Sequence, residues 1–308
     1  MKLLFVVNPI SGDLDKKAFL NDAKRICDEH GIACSTFTTS GINDEVNLTQ
    51  YIQEFEPDRV AASGGDGTTL LTATCLKNSS IPMGIIPLGS ANGMANDLGV
   101  NSDPHAALLD LIYSEVFLDM DLILINENLF CIHIGDIGFN AKILANYAKD
   151  PKRGKLTYLK YFIKTYYSNE AFDYEIHANK KVYQGKSIMI GICNGRKYGT
   201  GVPLNKNGSP FDGKFELVIV NYANTAALLR AGLSIFNENY IDIHNAKVIE
   251  CSEALILLPK KKLLQLDGEI IGKVDEVHAK ILKGAIRYIN QRGVQVPKDR
   301  KKELNPSL

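Results

Sequence analysis

Three glycines and an aspartate stand together in Ser63-Gly-Gly-Asp-Gly-Thr68, directly after the small apolar residues Val60–Ala62. Such an order is typical of a buried parallel strand that ends in a tight loop. Glycine has no Cβ atom, so the backbone N–H groups of this loop can approach a phosphate closely. The helical pattern that begins near Thr68 would direct further free N–H groups at the same anion. The motif therefore indicates a phosphate-binding loop, although an ordinary turn uses the same residues.

The carboxylate of Asp66 lies inside this loop and favours chemistry over a simple turn. A negative charge beside a bound phosphate is repulsive. We therefore expect a metal ion or a role in proton transfer to offset that repulsion. This expectation makes Asp66 a candidate catalytic residue as well as a binding residue.

A second acidic motif, Asp267-Gly-Glu269, follows the mostly apolar segment 263–266 and precedes Ile270 and Ile271. A hydroxyl group that attacks a phosphate must lose its proton, and a nearby carboxylate is the usual acceptor. If the segment is extended, Asp267 and Glu269 lie on one face, so one can accept the proton while the other orients it. The sequence does not assign these two roles. The alternative is a plain hairpin turn, for which Asp-Gly is the strongest short signal.

The N-terminal part of the chain alternates strand and helix patterns, as a doubly wound α/β sheet does. Apolar runs predict strands at 3–7, 32–38, 59–62 and 82–88, and helical spacing predicts helices at 16–30 and 43–55 and after each glycine-rich loop. Loops at the ends of parallel strands share one edge of the sheet, where such sheets bind ligands. Four loops are therefore expected to converge on one site: Asn8–Gly12, Thr38–Gly41, Gly64–Thr68 and Gly89–Asp97.

The pattern changes after about residue 116, because strands no longer alternate with helices. Strands are predicted at 116–125, 129–134, 172–178, 187–193, 215–220, 247–250 and 254–258, and helices only at 156–167 and 225–236. We therefore predict two domains. The first is an α/β domain over residues 1–122, and the second is a β-rich, β-sandwich-like domain over residues 123–284.

The composition excludes several classes of protein. Thirty-five basic and thirty-five acidic residues give no net charge, which argues against nucleic-acid binding. The six cysteines include no Cys-x-x-Cys pair, so we expect buried, reduced thiols of a cytoplasmic protein and no zinc site. The apolar run at residues 1–7 is too short for a signal peptide or a membrane span, and we interpret it as the first strand.

Four motifs share their order and spacing with a known family of enzymes: Asn8-Pro-Ile-Ser-Gly12, Ser63-Gly-Gly-Asp-Gly-Thr68, Pro87-Leu-Gly-Ser-Ala-Asn92 and Leu266-Asp-Gly-Glu269. They resemble the diacylglycerol kinase catalytic family, especially its soluble bacterial lipid kinases, and the resemblance covers nearly the whole chain. It implies an α/β nucleotide-binding domain and a β-rich lipid-substrate domain, with a C-terminal segment of about residues 285–308 that returns to the first domain. It also implies ATP- and Mg²⁺-dependent phosphorylation of a lipid hydroxyl, with nucleotide in the cleft between the domains.

The resemblance also implies roles for individual residues. The implied catalytic carboxylates are Asp66, Asp267 and Glu269. The implied nucleotide-binding residues are Asn8, Pro9, Ser11, Gly12, Thr39, Gly64, Gly65, Asp66, Gly67, Thr68, Ser90 and Asn92. Two positions depart from the family pattern: Ser90 replaces a threonine but keeps a hydroxyl, whereas Gly93 stands where an aspartate is common.

The segment 209–215 resembles a further Asp-Gly motif of the family, in which one carboxylate and two backbone carbonyls hold a Mg²⁺ ion. By position, the carboxylate is that of Asp212 and the carbonyls are those of Ser209 and Lys214. One carboxylate with carbonyls and waters suits Mg²⁺, which keeps much of its hydration. The role of this ion would be structural, and the alternative is a simple Asp-Gly turn.

A lipid substrate implies contact with a membrane surface. We therefore expect a cytoplasmic protein that acts peripherally at a membrane in lipid metabolism, for example in phospholipid biosynthesis. The sequence does not identify the lipid, because diacylglycerol, a long-chain base, a ceramide and phosphatidylglycerol all offer the same hydroxyl. It also leaves the oligomeric state open, with a homodimer as one option.

Two other functions stay open at this point. An NAD kinase also carries Gly-Gly-Asp-Gly-Thr, but the Asn-Glu pair and the Thr-Pro-Thr-Gly-Ser segment of that family are absent. A nucleotide-binding regulator without catalysis is compatible with the departures at Ser90 and Gly93. Retention of Asp66, Asp267 and Glu269 argues against that option.

Overall fold

The computed structural model describes residues 1–10, 12, 15–147, 150, 157, 160–162, 164–165, 170–196, 208–221 and 246–293. The chain divides into two compact units. The N-terminal unit is Met1–Met120 together with the segment from Gly284, and the C-terminal unit is Asp121–Lys283. The boundaries between the units fall within two strands, β5 (Phe117–Ile125) and β14 (Glu269–Ile289).

The N-terminal unit is built on a parallel sheet with the strand order β4-β3-β1-β2. Its strands are β1 (Lys2–Val7), β2 (Ala33–Thr38), β3 (Arg59–Gly64) and β4 (Met83–Pro87). Its helices are α1 (Lys16–Glu29), α2 (Asp44–Phe55), α3 (Asp66–Cys75), α4 (Gly93–Leu98) and α5 (Pro104–Tyr113). Because the strands are parallel, the loops that follow them leave the same edge of the sheet.

Strands β3 and β4 are buried at every residue, and β1 at every residue after its first. Since neighbouring side chains of a strand point to opposite faces, both faces of this sheet are covered. On one face, α1 and α5 pack in a single apolar cluster that includes Phe5, Ile26 and Leu111. This packing explains why these strands appear in the sequence as continuous apolar runs.

Arg59 is a buried cation at the start of β3. Its guanidinium donates hydrogen bonds to the carbonyl oxygens of Leu111 at 2.7 Å, Ile112 at 3.2 Å and Ser114 at 2.8 Å. These carbonyls lie at the C-terminal end of α5, where a helix has no backbone donors of its own. Arg59 therefore fixes the end of α5 against the sheet.

We predict that Arg59→Met lowers the free energy of unfolding by about 1 to 3 kcal/mol, because it leaves buried carbonyls without their charged donor. Urea denaturation of the full-length protein measures the change. Arg25→Met is the matched control, since Arg25 is half exposed and pairs with Glu29 on the surface of α1. That control should cost less than about 0.5 kcal/mol. Equal losses in the two variants would contradict the role assigned to Arg59.

The C-terminal segment, from Gly284, is part of the N-terminal unit and contacts β4. Tyr288 of β14 pairs with Met83 in parallel. The side-chain amide of Gln291 is buried, accepts a hydrogen bond from the N–H of Ile85 at 2.7 Å and donates to the carbonyls of Ile85 and Ala107, both at 2.9 Å. These contacts tie the segment to β4 and α5.

The C-terminal unit is mainly antiparallel. Its strands form the order β12-β11-β10-β7-β13-β14, with β8 paired to β13 and β9 paired to β8. Besides β5 and β14, the elements are β6 (Leu129–Cys131), β7 (Ile134–Gly138), α6 (Phe139–Tyr147), β8 (Phe172–Ala178), β9 (Lys181–Ser187), β10 (Met189–Cys193), β11 (Phe215–Val220), β12 (Ala246–Cys251) and β13 (Glu253–Leu266). One apolar cluster, which includes Ile137, Ile192 and Phe215 from three of these strands, forms the core.

Several elements of this unit differ from the sequence predictions: β14 was not predicted as a strand, and β13 extends to Leu266, beyond the predicted strand 254–258. Helix α6 and strand β9 were not predicted, and residues 134–138 form a separate strand, β7, beyond the predicted strand 129–134. The predicted helix 225–236 and half of the predicted helix 156–167 lie outside the described residues, and the described residues of 156–167 are helical. Within the described part of the chain, no helix is long and apolar enough to cross a membrane.

Candidate active site

The loops that follow β1, β3 and β4 pack against one another through glycines. A Cβ atom on Gly12, which has a φ of 64°, would lie 2.6 Å from the carbonyl oxygen of Leu88. A Cβ atom on Gly89 would overlap the Cα of Gly65 and lie 2.8 Å from its nitrogen. Side chains at Gly12 and Gly89 would force the loops apart, so glycine is required there for the close approach of the three backbones.

The carboxylate of Asp66 joins two of these loops. Its Oδ2 accepts a hydrogen bond from the N–H of Gly93 and its Oδ1 from the N–H of Met94, both at 2.9 Å. These N–H groups belong to the first turn of α4, where a carboxylate is stabilised by free donors. Two backbone N–H groups therefore stabilise the negative charge of Asp66. From the sequence we expected a metal ion or a proton to do this.

Asn92 closes the loop after β4. It has a φ of 51°, and its side-chain amide accepts from the N–H of Gly89 at 2.9 Å and donates to the carbonyl of Gly89 at 2.8 Å. The position of Asn92 inside the loop makes it a structural residue of that loop. Ser90 is exposed between these two residues. At the other departure from the family pattern, Gly93, the backbone N–H donates to Asp66.

The start of α3 offers donors to an anion. The N-cap residue of α3 is Gly65, which has no side chain to cap the first N–H groups of the helix. Gly67, in the first turn, is exposed. Free N–H groups at such a position attract phosphate. Thr68, by contrast, is buried and its Oγ1 has no hydrogen-bond partner among the described residues, because the side chain packs over Gly64.

The loops after β1 and β2 complete the same edge of the sheet. Asn8 is half-buried, and its Oδ1 accepts a hydrogen bond from the N–H of Ile10 at 3.1 Å. Pro9 is exposed, and the N–H of Thr39 donates to the carbonyl of Val7 at 2.9 Å. The predicted site residue Ser11 lies outside the described residues. The structure thus places the other predicted nucleotide-binding residues at the carboxyl ends of the four parallel strands.

We predict that alanine substitutions at the two contacting glycines, Gly65 and Gly89, differ in their cost to stability. Gly89→Ala should lower the free energy of unfolding by about 1 to 3 kcal/mol, because its Cβ overlaps the Gly65 backbone. Gly65→Ala should cost less than about 1 kcal/mol, since its Cβ would find the Gly89 Cα at an ordinary contact distance of 3.5 Å. Urea denaturation of both variants measures the difference. If Gly65→Ala proves as destabilising as Gly89→Ala, the described loop contact is incorrect.

In the C-terminal unit, Asp267 and Gly268 form the two-residue turn between β13 and β14. Leu266 pairs with Glu269 across the turn, and the φ values are 48° at Asp267 and 94° at Gly268. Two positive φ angles identify the tight turn that joins twisted antiparallel strands, and glycine is favoured at its second position. The hairpin interpretation of this motif is therefore correct. It does not exclude a chemical role, because the side chain of Asp267 has further contacts.

Four consecutive residues donate to the carboxylate of Asp267. Its Oδ1 accepts from the N–H groups of His133 at 2.9 Å and Ile134 at 3.0 Å and from the thiol of Cys131 at 3.3 Å. Its Oδ2 accepts from the N–H of Ile132 at 2.7 Å. Burial raises the pKa of the Asp267 carboxyl above its ordinary value, although the N–H groups of Ile132 and His133 act in the opposite direction. The four donors fix the orientation of this carboxylate, and its burial increases its basicity.

Glu269 differs from Asp267 in its surroundings. It is the first residue of β14 and is exposed. The two carboxylates would share one face only in an extended segment, and this segment is a turn: the positive φ of Asp267 directs its side chain onto residues 131–134. The structure therefore separates an anchored carboxylate from an exposed one.

A buried polar network that the sequence analysis missed lies beneath this turn. Gln265 has no exposed surface, and its amide contacts both Asp136 and the N–H of Gly268. Asp136 is also fully buried and accepts from Asn140 and from the N–H of Ala141, both at 2.9 Å. One signal was available in the sequence: Gln265 interrupts the apolar run 263–266, and Asp136 is the one polar side chain within 134–138, where burial without a partner is costly.

The segment around Asp212 forms a turn. Asp212 is exposed, and its Oδ1 accepts a hydrogen bond from the N–H of Lys214 at 3.0 Å. The turn is anchored by Asp121, which accepts from the N–H of Gly213 at 2.6 Å and donates its own N–H to the carbonyl of Pro210 at 2.7 Å. The turn interpretation is therefore correct for the backbone.

The donor set of this turn is compatible with a magnesium ion. The Oδ2 of Asp212 carries no hydrogen bond among the described residues, and the residue is exposed, as a hydrated Mg²⁺ requires. The ammonium group of Lys214 pairs with Glu250 at 2.5 Å, so its charge is compensated. In the described residues no group of three or more His, Cys, Asp and Glu side chains could hold a metal ion. A site here would depend on one carboxylate with carbonyls and water.

Two family models match most of the chain. Residues 2–125 match the diacylglycerol kinase catalytic domain. Residues 136–290 match the YegS C-terminal NAD kinase beta sandwich-like domain. The predicted fold class, an α/β domain followed by a β-sandwich-like domain, is confirmed.

Curated proteins and solved structures are similar over nearly the same length. A diacylglycerol kinase of Bacillus subtilis (strain 168) is 23% identical over 304 residues, which cover 97% of this chain and 98% of that protein. Lipid kinase YegS of Escherichia coli (strain K12) is 27% identical over 276 residues, which cover 87% of this chain and 90% of that protein. A crystal structure of a diacylglycerol kinase from Bacillus anthracis str. Sterne superposes with a TM-score of 0.68 at 21% identity, covering 96% of this chain and 98% of that one.

Proposed function

The chain belongs to the diacylglycerol kinase catalytic family, and we propose that it transfers the γ-phosphoryl group of ATP to a hydroxyl group of a lipid. The enzyme would act from the cytoplasm at a membrane surface. The names of the relatives from Bacillus subtilis and Escherichia coli support a lipid as the acceptor. The observation that carries the proposal is the anchored carboxylate of Asp267, since a hydroxyl acceptor needs a base.

We assign the base to the Oδ2 atom of Asp267. Its Oδ1 already accepts three hydrogen bonds, from Cys131, His133 and Ile134, and offers no further lone pair. Its Oδ2 accepts one bond, from the N–H of Ile132, and can receive the proton of a hydroxyl group. As the acceptor oxygen bonds to the γ-phosphorus, its proton moves to this Oδ2 and ADP leaves. We assign Glu269, which is exposed, to orienting the polar headgroup of the acceptor.

The glycine loops of the N-terminal unit are assigned to ATP. The N–H groups at the start of α3, from Gly65 to Gly67, suit the phosphates, and Ser90 and Asn8 line the same edge of the sheet. Asp66 would act here by holding the first turn of α4 rather than by accepting a proton. Magnesium bound with ATP would neutralise the charge that develops on the phosphates.

Gly65→Ala tests this assignment of the loops. The variant should fold, because its Cβ fits beside Gly89, but it should weaken ATP binding by about tenfold or more, since the methyl group occupies the approach to the N–H groups. Isothermal titration measures the affinity. Gly31→Ala is the control, because Gly31 precedes β2, away from the loops that follow the strands, and this variant should keep its ATP affinity. Unchanged ATP affinity in a folded Gly65→Ala variant would remove these loops from the nucleotide site.

Asp267→Asn should lower kcat for lipid phosphorylation by about 10² to 10⁴, because an amide cannot accept the proton. Glu269→Gln should cause a smaller loss. In the unmodified enzyme the rate should fall as the pH decreases through a pKa above the ordinary aspartate range, since burial raises the pKa of Asp267. Steady-state kinetics with lipid vesicles across pH measure both effects.

Two controls separate chemistry from folding in this experiment. An amide at residue 267 would place an N–H group against the N–H of Ile132, so thermal melting and ATP affinity of the variant must be measured as well. Asp275→Asn changes an exposed carboxylate of the same hairpin and should keep normal activity. A folded Asp267→Asn variant with near-normal turnover would exclude Asp267 as the base.

The magnesium assignment at Asp212 has its own test. Asp212→Ala should lower the melting temperature more in Mg²⁺ than in a chelator, because only the unmodified protein can gain stability from a bound ion. Asp173→Ala is the control, since Asp173 is an exposed carboxylate on β8 near Lys186 and should show the same change in both buffers. Equal losses for Asp212→Ala in both buffers would mean that this residue only forms the turn.

A further inference from the structure

Gln265 connects the Asp267–Gly268 turn to the interior of the C-terminal unit by two short hydrogen bonds, and its Nε2 makes a longer one of 3.5 Å to the carbonyl of Ile134. Its Nε2 donates to Oδ2 of Asp136 at 2.5 Å, and its Oε1 accepts from the N–H of Gly268 at 2.8 Å. Both Gln265 and Asp136 have no exposed surface. Polar groups removed from water in this way are retained only where each has a partner.

The chemistry of Asp136 decides which way the amide of Gln265 points. Asp136 presents its Oδ2 as an acceptor, so the Nε2 of Gln265 faces it. The Oε1 must then face the opposite direction, where the N–H of Gly268 lies. Asp136 is in turn held by the N–H of Ala141 and by the amide of Asn140, both in the first turn of α6. The first turn of α6 therefore orients Asp136, Asp136 orients the amide of Gln265, and Gln265 holds the turn.

We infer that Gln265 is a positioning residue, which fixes the Asp267–Gly268 turn at the geometry that its carboxylate needs for catalysis. The inference rests on the proposed function, because it assumes that Asp267 accepts a proton. Residues 131–134 hold the side chain of Asp267, and Gln265 holds the backbone of the next residue. With both contacts, neither the turn nor the carboxylate can rotate separately. Catalytic groups need this restraint, since a shift of about 1 Å can cost about a hundredfold in rate.

A pair of substitutions that exchange the amide and the carboxylate tests the inference. Gln265→Glu would place two carboxylates against each other, and Asp136→Asn would place two amides against each other. The double variant D136N/Q265E exchanges the two groups. The amide at position 136 can then donate to one oxygen of the carboxylate at position 265, while the other oxygen accepts from the N–H of Gly268. The amide of Asn140, which donates to Oδ2 of Asp136 in the unmodified protein, then turns over so that its oxygen accepts from the new amide.

The two single variants and the double variant should differ in turnover. Each single variant should lower kcat by about tenfold to a hundredfold with KM for ATP nearly unchanged, because the turn loses its fixed position. The double variant should recover most of the lost kcat. Steady-state kinetics with lipid vesicles measure all three.

Activity is expressed per folded protein, determined by near-ultraviolet circular dichroism and melting, so that a purely structural role would leave kcat unchanged. Gln184→Glu is the matched control, because Gln184 makes an amide-to-carboxylate bond with Glu175 at 2.6 Å on the exposed face of β9. It should keep normal kcat and KM. If the single variants do not fold, the double variant alone decides the question.

Three results would overturn the inference: normal kcat in folded single variants, a folded double variant that stays as impaired as the single variants, or a double variant that does not fold. The experiment also separates this inference from the proposed function. If Asp267→Asn is inactive while the Gln265 variants are normal, only the positioning role fails. If Asp267→Asn is active, the assignment of the base fails first.

Discussion

The C-terminal unit depends on the hydrogen bonding of one half-buried carboxylate, that of Asp267. Asp267 takes one donor from each of four consecutive residues, 131–134, and this arrangement requires the chain between β6 and β7 to present its N–H groups on one side. Strand β7 then pairs with β13 immediately before the turn, at Leu264–Leu266. The pairing of β7 with β13 therefore both builds this unit and brings the donors of residues 132–134 to the candidate base.

A different constraint organises the N-terminal unit. Its three glycine-containing loops approach so closely that Gly12 and Gly89 cannot carry side chains without displacing backbone. Close packing of the loops leaves N–H groups at the start of α3 accessible from solvent, and Asp66 holds the neighbouring helix α4 in register. The same residues that make the loops compact thus make the edge of the sheet suitable for phosphate.

Sequence reasoning found what depends on local pattern. Continuous apolar runs located β1, β3 and β4, and Asp-Gly located the hairpin turn at residue 267, because both signals arise within a few residues. It missed the role of Asp66 toward α4, whose N–H groups lie 27 and 28 residues away, and the contact between Gln265 and Asp136, 129 residues apart. Strand register and helix placement determine which residues meet over such distances, and the spacing of residues within a short segment does not show them.

The most direct test of the account is to identify the acceptor of the phosphoryl group. The protein is incubated with Mg²⁺ and isotopically labelled ATP, once with vesicles of a total lipid extract and once with NAD, and the products are analysed by mass spectrometry. The account predicts a lipid that has gained one labelled phosphoryl group, lost when the Asp267→Asn variant is used, and unmodified NAD. Labelled NADP without a labelled lipid, or a labelled lipid formed equally well by Asp267→Asn, would contradict it.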